Sequence, residues 1–531
     1  MMIPVKIDGK RIEVEEGTTI LDASRELGIE IPTLCHHPAL EPYGGCRLCT
    51  VEIAYNGGSR MVTSCNYPIR GLAPHAGLAP HAWEIEVETA SEDVVRGRKL
   101  LAELILARCP EVPEVQALAH SLGVSEPRFE LREELCYLCG LCERVCRELI
   151  GESAISFYGR GVDREVGPPF WELSDACIAC GACAFVCPTG AIKIADVTDK
   201  EPRPLLSEFD AGISGRGNIH IPFPQAVPKV PTIDREHCLR STLGRCGACQ
   251  AFCEPGAIVY DQEDEFIDLD VDAIVVATGF DMIDPHTKPE YGYGIYPEVM
   301  TALEFERLCD ASGPTKGQIR VNGKEPQDVV FIKCVGSRDP HTGVPYCSRV
   351  CCMHTAKHAH LVRDRVPDAN ITVFYMDVRA FGKGYEEFYD RVRHERVIYR
   401  RGEPAEVYRQ GDKLVVLAED TTLGQPVEVE ADLVVLATAI VPRMDVEDVA
   451  GLLGLGRSPD GFFQAGGAKP EVDGSLRPVD TNVDNVFVAG CCHSPRDIPD
   501  TVAQAKAAAS SALRALVRAR EAALAGKGGG E

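Results

Sequence analysis

The chain has 531 residues and carries 55 Lys and Arg against 80 Asp and Glu, a net charge of −25. A chain of this length exceeds one hydrophobic core, so we expect several domains. The acidic balance excludes a general nucleic-acid binder, because phosphate backbones require a basic surface. The longest apolar runs, at 273–279 and 433–441, are far shorter than the roughly 18 residues that span a bilayer. Since the N-terminus also lacks a signal-peptide core, we expect a cytoplasmic protein without membrane insertion.

Residues 1–34 predict a hairpin followed by a helix. Apolar and polar residues alternate on both sides of the Asp8-Gly9 turn, which is typical of two paired strands. Thr18 or Thr19 can cap a helix that ends at Gly28. Strand, strand and helix ahead of a cysteine loop are the start of a β-grasp ferredoxin. The tandem GLAPHA repeat at 71–82 is interpreted as a loop insertion.

Most of the 24 cysteines fall in short-spaced groups. A reducing cytoplasm keeps thiols free, so such groups more often bind metal than form disulfides. The first group has the spacing C-x10-C-x2-C-x15-C. A [2Fe–2S] cluster needs four thiolates, and the close C-x2-C pair can bind one iron from a loop that Gly44 and Gly45 make tight. Zinc is the alternative, but the β-grasp context argues against it. The predicted ligands are Cys35, Cys46, Cys49 and Cys65.

Two further groups, at 136–146 and 177–187, both have the spacing C-x2-C-x2-C-x3-C. In this pattern three cysteines bind one cubane and the fourth reaches the neighbouring cubane. Zinc sites rarely use three cysteines that are each three residues apart. We therefore assign one [4Fe–4S] cluster to Cys136, Cys139, Cys142 and Cys187, and a second to Cys146, Cys177, Cys180 and Cys183.

A third cubane group has the spacing C-x7-C-x2-C-x3-C. Four cysteines suffice for a separate [4Fe–4S] cluster, and crossed ligation with the 177–187 group is an alternative that spacing leaves open. The group consists of Cys238, Cys246, Cys249 and Cys253.

The last group, C-x12-C-x3-C-C, matches no familiar ferredoxin loop, because two of its cysteines are adjacent. From residue types alone, a metal site and a set of buried or redox-active thiols are equal alternatives. Its members are Cys334, Cys347, Cys351 and Cys352. The ungrouped cysteines, Cys109, Cys309, Cys491 and Cys492, are interpreted as buried apolar residues.

After residue 270 the composition changes to that of an α/β domain. Short β-branched runs alternate there with helical stretches, and such runs are typical of buried parallel strands. The predicted strands are 274–277, 329–332, 371–375, 433–437 and 486–489, and a helix is predicted from about residue 500 to 524.

The stretches 31–53, 136–146 and 177–192 resemble the N-terminal electron-input module of the large iron–sulfur subunit of respiratory complex I, of [FeFe] hydrogenases and of some formate dehydrogenases. The resemblance covers residues 1–195 and implies a β-grasp [2Fe–2S] ferredoxin followed by a bacterial-type ferredoxin with two [4Fe–4S] clusters. That family carries a further H-x3-C-x2-C-x5-C site. The corresponding stretch here, 106–120, keeps only Cys109, so we expect that cluster to be absent.

Stretches later in the chain include DAIVVATGFD (272–281), CVGSRD (334–339), YCSRVCC (346–352), FYMDVRAFGKGYEEFY (374–389) and NVFVAGCCHSPRDIPDTVAQA (485–505). Together with SEFDAGISGRGNIHIPFPQAVP (207–228), they resemble the A-type flavoprotein component of heterodisulfide reductase. This resemblance extends from about residue 203 to about residue 515. The resemblance implies a thioredoxin-reductase-like, doubly wound α/β flavoprotein domain. It also implies that the cysteine group at 334–352 holds a non-standard [4Fe–4S] cluster.

One departure from that resemblance concerns the flavin. Such a domain opens with a strand and a G-x-G-x-x-G turn that holds the FAD pyrophosphate, and the chain contains no such motif. The later flavin-contacting residues Thr278, Gly279 and Gly490 are retained. Two alternatives stay open: FAD binding is lost, or a partner completes the site. The inserted nucleotide-binding subdomain, at about 315–440, has Cys334 to Ser337 where a glycine turn would stand, which argues against NAD(P)H binding.

These patterns together predict a multidomain α+β and α/β protein. The expected parts are a β-grasp domain (1–88), a helical linker (89–130), a two-cluster ferredoxin domain (131–200), a connector with a third [4Fe–4S] domain (201–262), and a truncated flavoprotein domain (263–525).

The sequence predicts an oxidoreductase component that transfers electrons through one [2Fe–2S] and three to four [4Fe–4S] clusters. Its expected partners are a hydrogenase-, formate- or NADH-dehydrogenase-type donor and heterodisulfide reductase B- or C-type subunits, including a complex that bifurcates electrons at a flavin. The alternative is a self-sufficient flavoenzyme that oxidises NAD(P)H or reduces a disulfide. The missing dinucleotide turn argues against that alternative.

Overall fold

The computed structural model describes residues 2–55, 58–70, 85–466 and 476–527. The GLAPHA repeat lies outside the described residues. The chain divides into two compact units, one formed by Met1–Pro204 with Gly217–Asp264 and the other by Leu205–Arg216 with Glu265–Glu531. Within the described ranges, no helix combines the length and the apolar character needed to cross a bilayer.

The first unit opens with a β-grasp sheet, as the sequence predicts. The first two strands pair antiparallel around the Asp8-Gly9 turn, and Thr19 Oγ1 accepts a hydrogen bond from Asp22 N at 3.1 Å to cap the helix. Ile20 and Leu21 of that helix are buried against the sheet. The strand order is β2-β1-β5-β3-β4, with β1 Met2–Ile7, β2 Lys10–Glu15, α1 Ile20–Glu26, β3 Thr50–Tyr55, β4 Gly58–Thr63 and β5 Ile85–Glu88.

Beyond the sheet, the first unit consists of two longer helices and short elements around the cysteine loops. The longer helices are α2 Glu92–Arg108 and α3 Pro113–Ser121; the short ones are α4 Leu141–Arg144, which continues as a π turn over Val145–Ile150, α5 Ala182–Val186, α6 Leu239–Leu243 and α7 Ala248–Ala251. Short antiparallel pairs join β6 Ser156–Tyr158 to β7 Glu165–Gly167, β8 Leu205–Leu206 to β9 Gly215–Arg216, and β10 Ile219–His220 to β11 Thr232–Ile233. The β8–β9 pair belongs to the second unit.

A five-stranded parallel sheet forms the larger core of the second unit. Its order is β14-β21-β15-β16-β17. Side chains alternate between its faces: Phe331 and Val435 pack towards the helices, whereas Ile332 and Val434 pack towards an antiparallel sheet. The elements are β14 Val299–Thr301, α8 Ala302–Cys309, β15 Asp328–Val335, α9 Cys351–Arg365, β16 Asn370–Tyr375, α10 Tyr385–His394, β17 Val397–Arg401, β18 Pro404–Gln410, β19 Lys413–Asp420, β20 Gln425–Ala431 and β21 Leu433–Thr438.

A second, smaller parallel pair lies in the same unit. The two strands pair from Ile274 with Val486 to Val276 with Val488, and Gly279 and Gly490 follow their carboxyl ends with positive φ. All five strands predicted after residue 270 are thus confirmed as parallel strands. The elements are β12 Ile274–Val276, β13 Asp281–Met282, β22 Ile440–Val441, α11 Val446–Leu453, β23 Val486–Val488 and α12 Ile498–Lys527.

Candidate metal centres

The first candidate centre is formed by the cysteines of the β-grasp domain. Cys46 N donates a hydrogen bond to Cys35 Sγ at 3.4 Å, and Cys49 Sγ lies 3.3 Å from Cys65 Sγ. The four thiols therefore form two pairs, each suited to one iron of a [2Fe–2S] cluster. The expectation that the C-x2-C pair shares one iron is wrong, because the loop sends Cys46 towards Cys35 and Cys49 towards the end of β4.

Each thiol pair contains one readily ionised member. The hydrogen bond from Cys35 lowers the pKa of Cys46 to about 6, and the hydrogen bond from Cys65 lowers the pKa of Cys49 to about 7. The donors Cys35 and Cys65 have raised pKa values for the same reason. Since iron binds thiolate, each pair has one thiolate available at neutral pH.

Gly44 allows the tight turn before Cys46. Its φ is +69°, and a Cβ atom there would lie 2.7 Å from Asn66 Nδ2. A side chain at this position would thus be strained and would also collide with the loop after β4.

The second and third candidate centres are cavities lined by thiols from two segments each. Cys136, Cys139 and Cys142 line a cavity of about 390 Å³ together with Cys187. Three cysteines of the 177–187 group line a smaller, separate cavity together with Cys146; they are Cys177, Cys180 and Cys183. These are the two sets that the sequence assigns to two cubanes.

The thiols surround these cavities rather than one point. Among the described residues, no three His, Cys, Asp or Glu side chains converge closely enough to hold a single metal ion. Burial raises the pKa of both Cys139 and Cys183 to about 11. A bare thiolate is costly at such a site, so positive charge inside the cavity is what would hold it ionised. The donor set and its arrangement fit [4Fe–4S] clusters.

The 238–253 group gathers around Tyr260. Cys249 Sγ lies 2.6 Å from Tyr260 Oη. Burial raises the pKa of that tyrosine, and Cys249, Cys238 and Cys246 raise it further. Cys253 Sγ accepts a hydrogen bond from Ala257 N at 3.4 Å.

Side chains of the first unit link its candidate centres in sequence. Tyr137 is half-buried and lies close enough to Cys46, Cys139 and Cys187 for all three to raise its pKa. Cys246, in turn, lies close enough to Cys180 to raise its pKa. Val197 lines both the Cys187 cavity and the Cys146 cavity. The order is therefore the β-grasp thiols, the Cys187 cavity, the Cys146 cavity and the 238–253 group.

The adjacent-cysteine group forms a buried cluster in the second unit. Cys334 lies against Cys351 and Cys352 at the start of α9. A hydrogen bond from Cys351, together with the charge of Lys333, lowers the pKa of Cys352 to about 5. Cys347 Sγ accepts a hydrogen bond from Arg349 N at 3.2 Å. Three of the four predicted ligands are thus in contact; the hydrogen bonds among them lower the pKa of Cys334 and Cys352 and raise that of Cys351.

A cavity of about 750 Å³ adjoins this cluster. Gly279 and Gly490 line it, as does Cys491, while the Thr278 backbone contacts the Cys492 thiol. Cys109, Cys309 and Cys492 are buried, as expected, but the prediction for Cys491 is wrong, because this thiol is half-exposed at the cavity wall.

Sequence patterns do not reveal the cationic side chains of this cavity. Arg349, Arg379 and Arg496 line it, yet they come from three segments. Only the fold brings them together, since no spacing pattern connects them.

Two family models match the chain. Residues 1–71 match the 2Fe-2S iron-sulfur cluster binding domain, and residues 176–257 match the 4Fe-4S dicluster domain.

The chain is 48% identical over 348 residues to the A-type iron–sulfur subunit of the CoB–CoM heterodisulfide reductase of Methanocaldococcus jannaschii, covering 65% of this chain and 49% of that protein. It is 45% identical over 354 residues to the A-type subunit of the H2:CoB–CoM heterodisulfide,ferredoxin reductase of Methanothermobacter thermautotrophicus, covering 66% and 50%. The resemblance to the A-type component of heterodisulfide reductase is confirmed. The chain spans about half the length of these curated relatives.

Two solved structures also align. An NAD+-reducing [NiFe]-hydrogenase covers 38% of this chain and 90% of its own, at 28% identity and a TM-score of 0.29. The thioredoxin reductase of T. acidophilum covers 46% and 66%, at 17% identity and a TM-score of 0.31. Both TM-scores are below the level that indicates a shared overall fold.

The dicluster match spans the second and third cubane groups, whereas the geometry places Cys187 with the first group. All four thiols of each crossed set line one cavity.

Proposed function

We propose that this chain is the iron–sulfur electron-transfer component of a larger oxidoreductase, with one [2Fe–2S] cluster and three [4Fe–4S] clusters in its first unit and a further [4Fe–4S] cluster at Cys334, Cys347, Cys351 and Cys352. The observation that carries the proposal is the unbroken order of thiol-lined sites in the first unit. Tyr137 lies between the first two sites, Val197 lines both the second and the third, and Cys180 and Cys246 lie close together between the last two.

The thiols of the chain would hold the clusters, and its backbone N–H groups would bond to the cluster ligands. Clusters bound at these sites supply one-electron transfer, with potentials set by burial and by hydrogen bonds to sulfur. Backbone N–H groups already point at the thiols, as Ala154 N does at Cys146 Sγ (3.3 Å) and Ala179 N at Cys177 Sγ (3.4 Å). Such bonds stabilise thiolate and raise the potential of a bound centre.

The partners follow from the resemblances. The N-terminal ferredoxin module is of the kind that accepts electrons from hydrogenase-, formate- or NADH-dehydrogenase-type subunits. The curated relatives are subunits of heterodisulfide reductases. We therefore place the chain between such a donor or acceptor and heterodisulfide reductase B- or C-type subunits.

The proposal is tested on protein purified without oxygen. We expect iron and acid-labile sulfide in amounts that require several clusters, and electron paramagnetic resonance of the reduced protein should show one [2Fe–2S] signal beside interacting [4Fe–4S] signals. Zinc in place of iron, or a single cluster type, would contradict the proposed role.

The crossed assignment of the cubanes has its own test. Cys146→Ala should remove the same [4Fe–4S] signal as Cys177→Ala, because both thiols line one cavity, although they lie in different segments. Cys187→Ala should instead reproduce the spectrum of Cys136→Ala. If Cys146→Ala behaves like Cys136→Ala, each segment binds its own cluster and the assignment fails.

A further inference from the structure

The segment 265–272 of the second unit exposes large apolar side chains next to one another. Its residues belong to no helix or strand, and all of them are exposed. Phe266 is 91% exposed, and Ile267, Leu269 and Val271 are 72%, 76% and 62% exposed. A single exposed apolar residue is ordinary, but adjacent ones of this size mark a surface that another molecule covers.

The order of residues in this segment is that of a half-buried β-strand. Three apolar residues alternate strictly with three aspartates, as Ile267-Asp268-Leu269-Asp270-Val271-Asp272. Successive side chains of a strand point to opposite faces, so pairing places the apolar residues on one face and the carboxylates on the other. Six residues span about 20 Å, the usual length of a strand. Among the described residues, however, no strand pairs with this segment.

The strand that follows directly, β12, has an open edge. Ile274 N donates a hydrogen bond to Asn485 O at 2.9 Å. Val276 O accepts one from Ala489 N, also at 2.9 Å. Neighbouring residues of a strand direct their backbone groups to opposite edges. Val275, which is 45% exposed, thus directs its N–H and C=O groups to the edge where the described chain has no further strand.

The charge of the segment limits what can cover it. Residues 265–272 include four acidic residues and no basic one, and in the described ranges none of the three aspartates forms an ion pair. A second copy would set like charges opposite each other, which destabilises paired strands, and two chains of net charge −25 repel each other. Anionic lipid and nucleic acid are excluded for the same reason. A protein surface that offers cations beside an apolar strip fits the segment.

We infer that residues 267–272 form an added strand on a partner subunit that presents an open sheet edge, apolar on one face and carrying Lys or Arg on the other. Main-chain hydrogen bonds give such strand additions their affinity, and the alternate side chains give specificity. The apolar row leaves water on one face, and the aspartates pair with cations on the other. The inference rests on the proposed function only in that the chain belongs to a larger complex.

The first test compares hydrogen exchange of the full chain produced alone with that of the complex purified from the cells that make it, both without oxygen. In the isolated chain the amides of 267–272 should exchange as in an unstructured peptide, because the segment is exposed and unpaired. In the complex every second amide should exchange at least about tenfold more slowly, because an added strand directs only alternate N–H groups to its neighbour.

The second test identifies the chemistry of the partner. A carbodiimide joins a carboxylate directly to a lysine amine that pairs with it, so treatment of the complex should link Asp268, Asp270 or Asp272 to a lysine on an edge strand of another subunit. A link to a lysine of a second copy of this chain would overturn the inference.

The third test is Leu269→Asp, which should weaken binding of the partner subunits by at least about tenfold. Iron content and the melting temperature of the isolated chain should not change, because Leu269 is exposed there. The matched control is Leu423→Asp, at the exposed turn between β19 and β20, which should bind as the parent does. Asp270→Asn should weaken binding and reduce its dependence on salt concentration.

Several results would overturn the inference. They are protection of 267–272 in the isolated chain, protection of consecutive amides or of none in the complex, and equal binding by Leu269→Asp and Leu423→Asp. Recovery of the chain from its cells without partners, but with its iron and sulfide, would also overturn it and leave the cluster assignment standing. Failure here is therefore distinguishable from failure of the proposed relay, which iron analysis and cluster spectra measure.

Discussion

Replacing Cys46 with alanine is expected to abolish the [2Fe–2S] signal and to leave the cubane signals intact. Cys46 is the ionised member of one of the two thiol pairs, because Cys35 donates a hydrogen bond to it and lowers its pKa to about 6. Without Cys46, one iron keeps a single protein thiol, and the cluster cannot be held. Iron content should fall by about two atoms per chain, measured by metal analysis beside electron paramagnetic resonance.

Cys109→Ala is the control for this experiment. Cys109 is also a buried cysteine of the first unit, but it packs among Leu106, Val112 and Val115. Its loss should cost about 1 kcal/mol of unfolding free energy through a small cavity and leave every cluster signal unchanged. If the [2Fe–2S] signal survives in Cys46→Ala, or disappears in Cys109→Ala, the ligand set at 35–65 is wrong.

Much of the site was predictable because cluster ligation depends on local spacing. Three cysteines at steps of three residues must converge on one side of a tight loop, so the Cys136 and Cys177 groups were identifiable without a structure. That each cavity also receives one cysteine from the other segment was foreseeable too, since the fourth cysteine of each group lies on or just after the short helix that leaves the loop. The strands after residue 270 were predictable for the same local reason, as buried parallel strands require β-branched runs.

What spacing could not predict depends on contacts between distant segments. The pairing of Cys46 with Cys35 rather than Cys49 follows from the path of a ten-residue loop, which sequence does not define. The exposure of Cys491 and the position of Arg496 depend on the cavity that α9 and α12 enclose. The contacts of Arg144 could not be predicted for the same reason. This residue lies between Cys142 and Cys146 in the sequence, yet the carbonyls to which it donates hydrogen bonds lie about 100 residues away.

Substitution of Arg144 is the second change for which we expect a large effect, in this case on stability and on the coupling between two centres. It lies on α4 between Cys142 and Cys146 and is 1% exposed. Its guanidinium donates to Glu41 O at 2.6 Å and to Cys35 O, and it stacks over Tyr43 at 5.2 Å. One side chain thus connects helix α4 to the loop that carries Cys35 and Glu41.

Arg144→Met keeps most of the buried volume and removes both donors. The carbonyls of Cys35 and Glu41 are then left without this partner, which we expect to cost about 2–4 kcal/mol of unfolding free energy. Because the two loops lose their link, the magnetic interaction between the [2Fe–2S] signal and the neighbouring cubane signal should change as well. Arg144→Lys keeps the charge but lacks the planar guanidinium fork that reaches both carbonyls at once, so an intermediate loss is expected.

The control is Arg147→Met one turn further along, where the side chain is half-exposed and pairs with Glu143 and Glu148 at the surface. Surface pairs contribute about 0–1 kcal/mol, so this variant should unfold close to the parent and keep its spectrum. Anaerobic denaturant unfolding and pulsed electron paramagnetic resonance on the same samples separate the two effects. Should Arg144→Met match Arg147→Met in both measurements, the buried guanidinium does not fix the two centres relative to each other, and their spacing must be held by the packing of Tyr43 on Phe157 instead.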